Sequence, residues 1–302
     1  MELLKNEYEQ RVEKAVRFIE DNLTARLTLE RIAEQASFSK YHFLRIFSTV
    51  TGETVGSYVR KRRITRSADV LISTNQPILS IALDYQFDSQ EAYTRSFKAV
   101  YKTTPGQYRK KGIDQIAFRQ NELSEKRLNH LKTNISREAE VIDMQAKSLI
   151  GMSIETSLNN NRIPELWSKF MSRIHEIKSN KQTGRYGFQR YNADMEIGDL
   201  TEDMPFEDWA TVEVRDFHNV PPGMKSHTLA GGKYARFIHR GGVRGFQMSL
   251  DYIYSTWFPA SGYEPGKREA FQRYGERFFG PDHPKSELEV YVPIEPVKSA
   301  MK

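Results

Sequence analysis

The chain has 302 residues with a formal net charge of +6 at pH 7, 28% charged and 38% hydrophobic side chains, which is the composition of an ordinary globular protein of about two domains. It contains no cysteine, which excludes thiol catalysis, disulfides and cysteine-ligated zinc and fits a reducing compartment. The opening MELLKNEYEQ is acidic and lacks an apolar run, and no stretch of about 20 apolar residues follows, so we expect neither a signal peptide nor a membrane-spanning helix.

The first segment predicts a series of helices in a basic domain. Residues 1–112 contain 19 Lys and Arg against 13 Asp and Glu, so this segment carries the whole net charge. Such a segment beside a neutral one is typical of a protein whose first domain binds a polyanion, although a solvated basic face is the alternative from charge alone.

The opening helices follow a recognisable order. Apolar residues recur at helical spacing over residues 8–23, and Thr28 is placed to cap a second helix over residues 29–36. After a tight turn, Ser39 begins a third helix, which Gly52 is placed to end. Helix, short turn and second helix is the helix-turn-helix pattern.

A second unit of the same kind follows. A long helix carries a basic cluster at residues 60–63, for which phosphate contact, solvation and, at Arg62, an internal ion pair all stay open. Pro77 opens a short helix, Ser89 begins the next, and Thr104 caps a last one.

The Ser39 and Ser89 helices share one spacing. Each serine is placed to cap its helix through its hydroxyl, and it is followed by an aromatic residue at offset four, arginine at offset six and phenylalanine at offset eight. Offsets four and eight lie on one helix face, which predicts burial there. Offsets one, two, five and six lie on another face, whose side chains suit base edges because Arg pairs with guanine, Gln with adenine and Glu with cytosine. The predicted DNA-binding residues are Ser39, Lys40, Tyr41, Leu44, Arg45, Ser89, Gln90, Glu91, Thr94 and Arg95.

Four motifs carry a family resemblance over about residues 8–112: Ser39-Lys40-Tyr41-His42-Phe43, Phe87-Asp88-Ser89-Gln90, Thr94-Arg95-Ser96-Phe97-Lys98 and Thr104-Pro105-Gly106-Gln107-Tyr108-Arg109. They resemble the AraC/XylS family of transcription regulators, and within it the MarA/SoxS/Rob branch. The resemblance implies an all-α domain with two helix-turn-helix units, monomeric binding to successive major grooves of an asymmetric DNA site, and contact with RNA polymerase.

This chain departs from that branch inside the predicted reading helices. Tyr41 and Leu44 stand where the branch favours tryptophan and glutamine, and Glu91-Ala92 stands where it has Gln-Thr. An amide lost at residue 44 and a carboxylate gained at residue 91 predict a different base preference.

The rest of the chain predicts a second, α+β domain. Residues 113–136 are polar and charge-rich and are predicted to be a linker, with part of a strand at Ile116-Ala117-Phe118. Beyond them each half reads strand, helix, strand, strand, which predicts a duplicated module. The predicted organisation is a DNA-binding domain at 1–112, a linker at 113–136 and a second domain at 137–302.

The second domain also carries family motifs: Phe206-Glu207-Asp208-Trp209-Ala210, Gly231-Gly232-Lys233-Tyr234-Ala235, His239-Arg240-Gly241-Gly242, Gln272-Arg273-Tyr274 and Glu289-Val290-Tyr291-Val292-Pro293-Ile294. Over about residues 137–296 they resemble the GyrI-like effector-binding domain, which implies a pocket between the halves for bulky, amphipathic and often cationic compounds. An aromatic cleft with few polar groups suits such ligands. The predicted ligand-binding residues are Phe188, Trp209, Glu213, Trp257, Gln272 and Tyr274.

One departure bears on the charge of the ligand. That family commonly has glutamate where Gln272 stands, and glutamine does not neutralise a cation. Whether the effector is cationic therefore stays open, unless Glu213 or another acid supplies the charge.

No catalytic pattern accompanies these motifs. The histidines lack metal-ligand spacing, and no nucleophile elbow or phosphate loop occurs, so we expect no catalytic residue, metal or cofactor. We expect a cytoplasmic, nucleoid-associated bacterial transcription activator, and the resemblance to the MarA/SoxS/Rob branch implies target promoters in multidrug or stress resistance. The alternatives are an architectural or origin-binding DNA protein, or a GyrI-like hydrolase fused to a DNA-binding domain.

Overall fold

The protein is described from a computed structural model, which covers residues 2–112, 114–115, 119–178, 180–191 and 201–297. The strand expected at Ile116-Ala117-Phe118 lies outside these described residues. The chain divides into two compact units. The first contains the chain up to Thr133 together with Leu250–Trp257, and the second contains most of the rest.

The first unit is helical. Its helices along the N-terminal part of the chain are α1 (Glu2–Asp21), α2 (Leu29–Gln35), α3 (Lys40–Thr51), α4 (Val55–Ser73), α5 (Ile78–Asp84), α6 (Gln90–Tyr101), α7 (Pro105–Lys111) and α8 (Glu125–Thr133). Thr28 and Gly52 mark helix ends as predicted. The Thr28 hydroxyl accepts from the Arg31 amide at the start of α2, and Gly52, which follows α3, has a left-handed φ of 85°. Thr104 and Gln107 form a reciprocal capping box at the start of α7.

The two helix-turn-helix units have matching turns. Between α2 and α3 Ser37 has a φ of 54°, and between α5 and α6 Gln86 has a φ of 61°. In both turns the next residue donates its amide to a carbonyl five residues back, from Phe38 to Ala33 and from Phe87 to Ala82. A left-handed conformation is strained for a residue other than glycine. Its occurrence at the same position in both turns shows that the two turns have the same backbone conformation.

Each unit buries the face that the sequence repeat predicted. Phe43 and Phe47 are fully buried on α3, and Phe47 also contacts the ring of Tyr58 on α4 at 5.9 Å between centroids. Tyr93 and Phe97 are fully buried on α6 in a cluster with residues of α4, α5 and α7. Aromatic burial at offsets four and eight therefore fixes which face of each helix points outward.

The helix α8 lies within the stretch predicted as a linker. Leu123, Leu128 and Leu131 are buried there, and the Leu123 amide donates to the Tyr58 hydroxyl at 3.2 Å. Leu128 and Leu131 are three residues apart in α8, which places both on one side of the helix, but polar side chains dominate the local composition. This part of the predicted linker is therefore packed helix.

The second unit contains one curved sheet. Its strands are β1 (Glu140–Met144), β2 (Lys147–Thr156), β3 (Asn180–Arg190), β4 (Phe206–Val214), β5 (Lys225–Leu229), β6 (Gly232–Arg240), β7 (Tyr263–Pro265), β8 (Phe271–Tyr274) and β9 (Glu287–Pro296). The helix α9 (Ile163–Arg173) follows β2. After β6 come α10 (Phe246–Tyr252), a π-helical turn (Ile253–Trp257) and α11 (Phe258–Ser261). This agrees with the predicted α+β class and with a duplication, but the predicted order within each half is wrong, because two strands, and not one, precede the helix of each half.

The strand order reveals how the two halves are joined. It runs β1-β6-β9-β8-β3-β4-β2-β5, with all these pairs antiparallel, and β7 pairs with β9. From one edge of the sheet inward the strands are β1, β6, β9 and β8, and from the other edge inward they are β5, β2, β4 and β3. Strands at the same position in the two series are equivalent in the two halves. The first strand of each half therefore pairs with the other half, so the duplicated modules are interlocked.

The two faces of the sheet have different surroundings. On one, which we call the helix face, Leu166 and Phe170 of α9 pack against Ile150, Ala210 and Val212. On the other, which we call the aromatic face, large rings cluster together: Tyr186, Phe188, Trp209, Tyr234, Phe271 and Tyr291. Alternation along the strands assigns every other residue to one of these faces.

Candidate DNA-binding and ligand-binding sites

The outward face of α3 presents the predicted first set of DNA-binding residues. Ser39, Lys40, Tyr41 and Arg45 are exposed and Leu44 is half-buried, with 79% of Tyr41 accessible. A large aromatic side chain exposed to that degree beside an arginine is available to contact a partner. The predicted side chains therefore share one accessible surface, which we call the α3 surface.

The outward face of α6 repeats this arrangement. Gln90, Glu91 and Arg95 are exposed, and Ser89 and Thr94 are half-buried. Neither Arg45 nor Arg95 forms an ion pair with another described residue, so both guanidinium groups can bind an external acceptor. We call this second set the α6 surface.

The two capping serines differ in what they do. The Ser89 hydroxyl accepts from the Ala92 amide at 3.2 Å, whereas Ser39 occupies the same position without a side-chain cap bond. The sequence predicted capping by both, so this expectation is wrong at Ser39. Its exposed hydroxyl is instead free of the helix end.

Local charges modify both surfaces. Lys40 donates to Glu30 of α2 at 2.6 Å, and this contact raises the lysine pKa and lowers the glutamate pKa. On α6 a hydrogen bond from Ser89 lowers the pKa of Glu91, which keeps that side chain an acceptor. An ionised Glu91 suits the amino group of cytosine.

The basic cluster of α4 is largely internal. Arg62 is buried and holds Glu20 of α1 through two nitrogens. Burial opposes the charge on Arg62, but the carboxylate outweighs it and raises the guanidinium pKa. Arg63 donates to the Leu23 and Ala25 carbonyls at 2.8 Å, and Lys61 pairs with Glu53 at 3.0 Å. Of the alternatives left open by the sequence, the internal ion pair is the one observed at Arg62.

The predicted ligand-binding residues lie on both faces of the sheet. Phe188 is directly opposite Trp209 across β3 and β4, and their rings stack 5.4 Å apart on the aromatic face. Both are buried, and His227 stacks on Phe188 at 4.8 Å. These contacts make Phe188 and Trp209 part of the packed core.

Glu213 lies on the same aromatic face and is already neutralised. Its carboxylate accepts from Lys147 at 2.9 Å and from Lys181 and Tyr186 at 3.0 Å each. Burial opposes ionisation, but these donors outweigh it and lower the Glu213 pKa to about 2. An acid that holds two lysines does not offer an uncompensated charge to a ligand.

Gln272 and Tyr274 lie on the helix face, because Gln272 is paired with Gly187, which in turn faces Ala210. A Cβ added to Gly187 would lie 3.2 Å from the Trp167 ring, 3.3 Å from the Tyr274 ring and 3.5 Å from Oε1 of Gln272. Because Gly187 has no side chain, the Trp167 and Tyr274 rings and the Gln272 amide can all lie close above the sheet at this position. The sixth predicted residue, Trp257, is half-buried in the segment that groups with the first unit.

The same face contains an acid that sequence reasoning did not single out. Asp208 is 5% exposed, and burial raises its pKa to about 7. Its one hydrogen bond to a described residue comes from the Gln189 amide at 3.3 Å. The available signal was its position two residues before Ala210 and four before Val212, which places a carboxyl in the apolar row of β4.

Other classes of site are not found in the part of the chain that the structure describes. No group of three or more His, Cys, Asp or Glu residues there can hold a metal ion. The helices described include none that is both long and apolar enough to cross a membrane.

Comparisons with known proteins agree with this architecture. A helix-turn-helix domain family matches residues 32–111, and the GyrI-like small molecule binding domain family matches residues 137–295. The chain belongs to the AraC-type helix-turn-helix regulators that carry a GyrI-like domain.

Individual relatives are regulators or DNA-binding proteins. The transcriptional regulator Rob of Salmonella typhimurium is 30% identical over 266 residues, covering 85% of this chain and 87% of its own. The right origin-binding protein of Escherichia coli K12 is 29% identical over the same shares of the two chains. The multiple antibiotic resistance protein MarA of Salmonella typhimurium is 42% identical over 92 residues, which cover 30% of this chain and 72% of MarA.

Proposed function

We propose that this protein is a transcription activator that binds an asymmetric DNA site as a monomer, with α3 and α6 in successive major grooves. One observation carries the proposal: helices with the same buried aromatic positions expose equivalent side chains, ending in Arg45 and Arg95. The 19 residues of α4 between the two units correspond to about 28 Å of helix, and grooves on one side of B-DNA repeat about every 34 Å.

The proposal extends to what the protein regulates. The second unit senses a small amphipathic molecule, and the activator recruits RNA polymerase in the bacterial cytoplasm, where it occupies the nucleoid. Promoters of multidrug and stress resistance are the proposed targets, and the name of MarA supports that assignment. Catalysis has no part in the proposed role.

The test measures binding by fluorescence anisotropy to duplexes selected from a random pool by the wild-type protein. We expect Arg45→Ala and Arg95→Ala each to lose about 1–3 kcal/mol of discrimination against unselected DNA, while a salt-dependent background remains. The control, Arg66→Ala, removes an exposed α4 arginine and should leave discrimination intact. Loss only in Arg45→Ala would contradict the two-helix proposal, and loss in neither would contradict DNA reading by these surfaces.

An architectural or origin-binding role is the second candidate, and the relationship to the right origin-binding protein favours it. In vitro transcription with purified RNA polymerase from a promoter that carries one selected site separates the two. An activator raises transcript yield and loses this effect with Arg45→Ala. An architectural protein occupies the site at the same affinity without changing the yield.

A further inference from the structure

We propose that a short segment outside α3 and α6 fixes the separation of the two helix-turn-helix units, so that the protein selects DNA sites by the spacing of their halves. The segment consists of residues 114–115 and 119–123, and we call it the brace. It lies between the two family matches, the first of which ends at residue 111 and the second of which begins at residue 137. The inference rests on the proposed reading of DNA by α3 and α6, and it names the residues that position these two helices.

The first observation is a tyrosine at the same place in both helix-turn-helix units. Tyr58 is the fourth residue of α4, and Tyr108 is the fourth residue of α7. Both side chains are fully buried. The Tyr58 ring contacts Phe47 of α3 at 5.9 Å between centroids, and the Tyr108 ring contacts Phe97 of α6 at 5.2 Å. Each tyrosine therefore packs directly against the proposed DNA-reading helix of its own helix-turn-helix unit.

The brace donates a backbone amide to the hydroxyl of each tyrosine. The Leu123 amide donates to Tyr58 at 3.2 Å, and the Gln115 amide donates to Tyr108 at 3.3 Å. Gln115 and Leu123 are themselves buried outside regular secondary structure, where backbone amides need such acceptors. One short segment thus joins equivalent positions behind α3 and α6.

Between these two ends the brace follows α4. The Gln120 amide donates to Oγ1 of Thr65 at 3.1 Å, and Arg119 pairs with Asp69 at 3.0 Å. Residues 58–69 of α4 span about 17 Å, and contacts with the brace are spread over this length. A helix that alone connects two units is free to curve, whereas a second segment bonded along it restrains that curvature.

Both ends of the brace are held by further contacts. Arg119 pairs with Asp114 of the brace as well as with Asp69 of α4, and the Tyr108 hydroxyl donates to Asp114 at 3.3 Å. Burial opposes the charge on Arg119, but the two acids outweigh it and raise the guanidinium pKa. Beyond Leu123 the chain continues into α8, which packs against α1 and α3. One end is therefore anchored on each helix-turn-helix unit.

A fixed separation has a defined consequence for DNA binding. Two linked modules bind together only if their separation matches that of their sites. One inserted base pair moves the second half-site by about 3.4 Å and turns it by about 35° around the DNA axis. Because the braced units do not follow this displacement, the protein should reject sites whose spacing differs by one base pair.

The experiment measures fluorescence anisotropy of the full chain with three duplexes. They are a site selected by the wild type, the same site with one base pair inserted between its halves, and a duplex that keeps only the half read by α3. We expect the insertion to weaken wild-type binding about tenfold or more, towards the affinity for the single half.

The test variant combines Tyr108→Phe with Arg119→Ala, which detaches the brace from the second helix-turn-helix unit. The insertion should weaken its binding about threefold or less, and both two-half duplexes should still bind more tightly than the single half. Arg119→Lys keeps a charge beside Asp69 and should restore the full penalty to the Arg119→Ala variant. The matched control is Arg66→Ala, which removes an exposed arginine of α4 and should keep the full penalty. If the double variant does not fold, Arg119→Ala alone should show the same change to a smaller extent.

Each other outcome overturns the inference. A full insertion penalty in the folded variant means that α4 alone sets the separation. If the variant binds the two-half duplexes no better than the single half, its residues support α6 itself and not the spacing. If the wild type tolerates the insertion, the separation is not fixed. If Arg95→Ala loses no discrimination in the earlier test, the proposed reading by two helices fails and the inference falls with it.

Discussion

At the scale of single residues, Asp208 makes folding depend on pH in an unusual direction. Its folded pKa of about 7 lies above the unfolded value of about 3.9, so the folded state binds the proton more tightly. The contribution of Asp208 to the unfolding free energy is therefore most favourable at low pH, and it is lost as pH rises from about 4 towards 7.

We expect Asp208→Asn to be more stable than the wild type at pH 8 and to lose most of that advantage at pH 5. Between these values the difference in unfolding free energy should change by about 2–3 kcal/mol, because one pKa unit corresponds to about 1.4 kcal/mol. Urea unfolding at both pH values measures it. Glu207→Gln is the control, because its lysine, serine and tryptophan partners lower the Glu207 pKa against the effect of burial. If the difference in unfolding free energy between Asp208→Asn and the wild type is the same at both pH values, the raised pKa of Asp208 is contradicted.

The sequence predicted the chemistry of residues better than their partners. The exposed positions of Arg45 and Arg95 could be predicted because their offset from a serine recurs. Glu213 was identified as a possible counter-charge, but its two lysines come from β2 and β3, and no local pattern shows that pairing. For the same reason Phe188 and Trp209 could not be assigned to the face opposite Gln272 before the register was known.

At the scale of secondary-structure elements, the two serine caps provide an internal comparison. Ser89→Ala removes a bond to the Ala92 amide and should reduce the unfolding free energy by about 1 kcal/mol. Ser39→Ala removes no such bond and should change it by much less. Parallel urea titrations of the two variants measure the contrast. Equal losses would show that the hydroxyl bond is not what stabilises α6.

The buried pair between α1 and α4 makes a stronger prediction. Glu20 binds both Arg62 and the Tyr58 hydroxyl, so Glu20→Ala leaves a guanidinium group buried without its counter-charge. We expect the unfolding free energy to fall by about 3–5 kcal/mol, measured by urea unfolding. The double variant Glu20→Leu with Arg62→Met should recover much of the loss, since an apolar pair requires no desolvation.

The exposed Lys40–Glu30 pair is the control for that measurement. Its side chains are 45% and 55% accessible, and solvent screens such a contact. Glu30→Ala should therefore leave stability nearly unchanged. A small loss for Glu20→Ala would mean that Arg62 finds other acceptors, of which the Gln120 carbonyl is the first candidate.

Elements with strong periodicity could be predicted, and those without it could not. The helices of the first unit follow from apolar spacing and caps, and the strands of the second follow from apolar runs. The helix α8 was missed because its two buried leucines, Leu128 and Leu131, stand among charged and polar residues. The π-helical turn at Ile253–Trp257 was also missed, since a helix over residues 246–258 has the same apolar pattern with or without it.

At the scale of the whole molecule, the sequence predicted both fold classes, which the matching families confirm, and a duplication, which the strand order shows. It did not predict the strand order, because pairing in this sheet is long-range. For example, Glu140 of β1 lies opposite Arg236 of β6, nearly one hundred residues away. Hydrophobic alternation assigns a residue to a face but does not name the neighbouring strand.

The exchanged first strands have a consequence for synthesis on the ribosome. The strand β1 has no partner until Gly232–Arg240 has emerged, and β2 lacks one neighbour until Lys225–Leu229 has emerged. The helices of the DNA-binding unit up to Lys111 are complete well before either event, and domains fold in order as they are made. A nascent chain therefore carries the finished helices α3 and α6 while one edge of its β-sheet still lacks its partner strands.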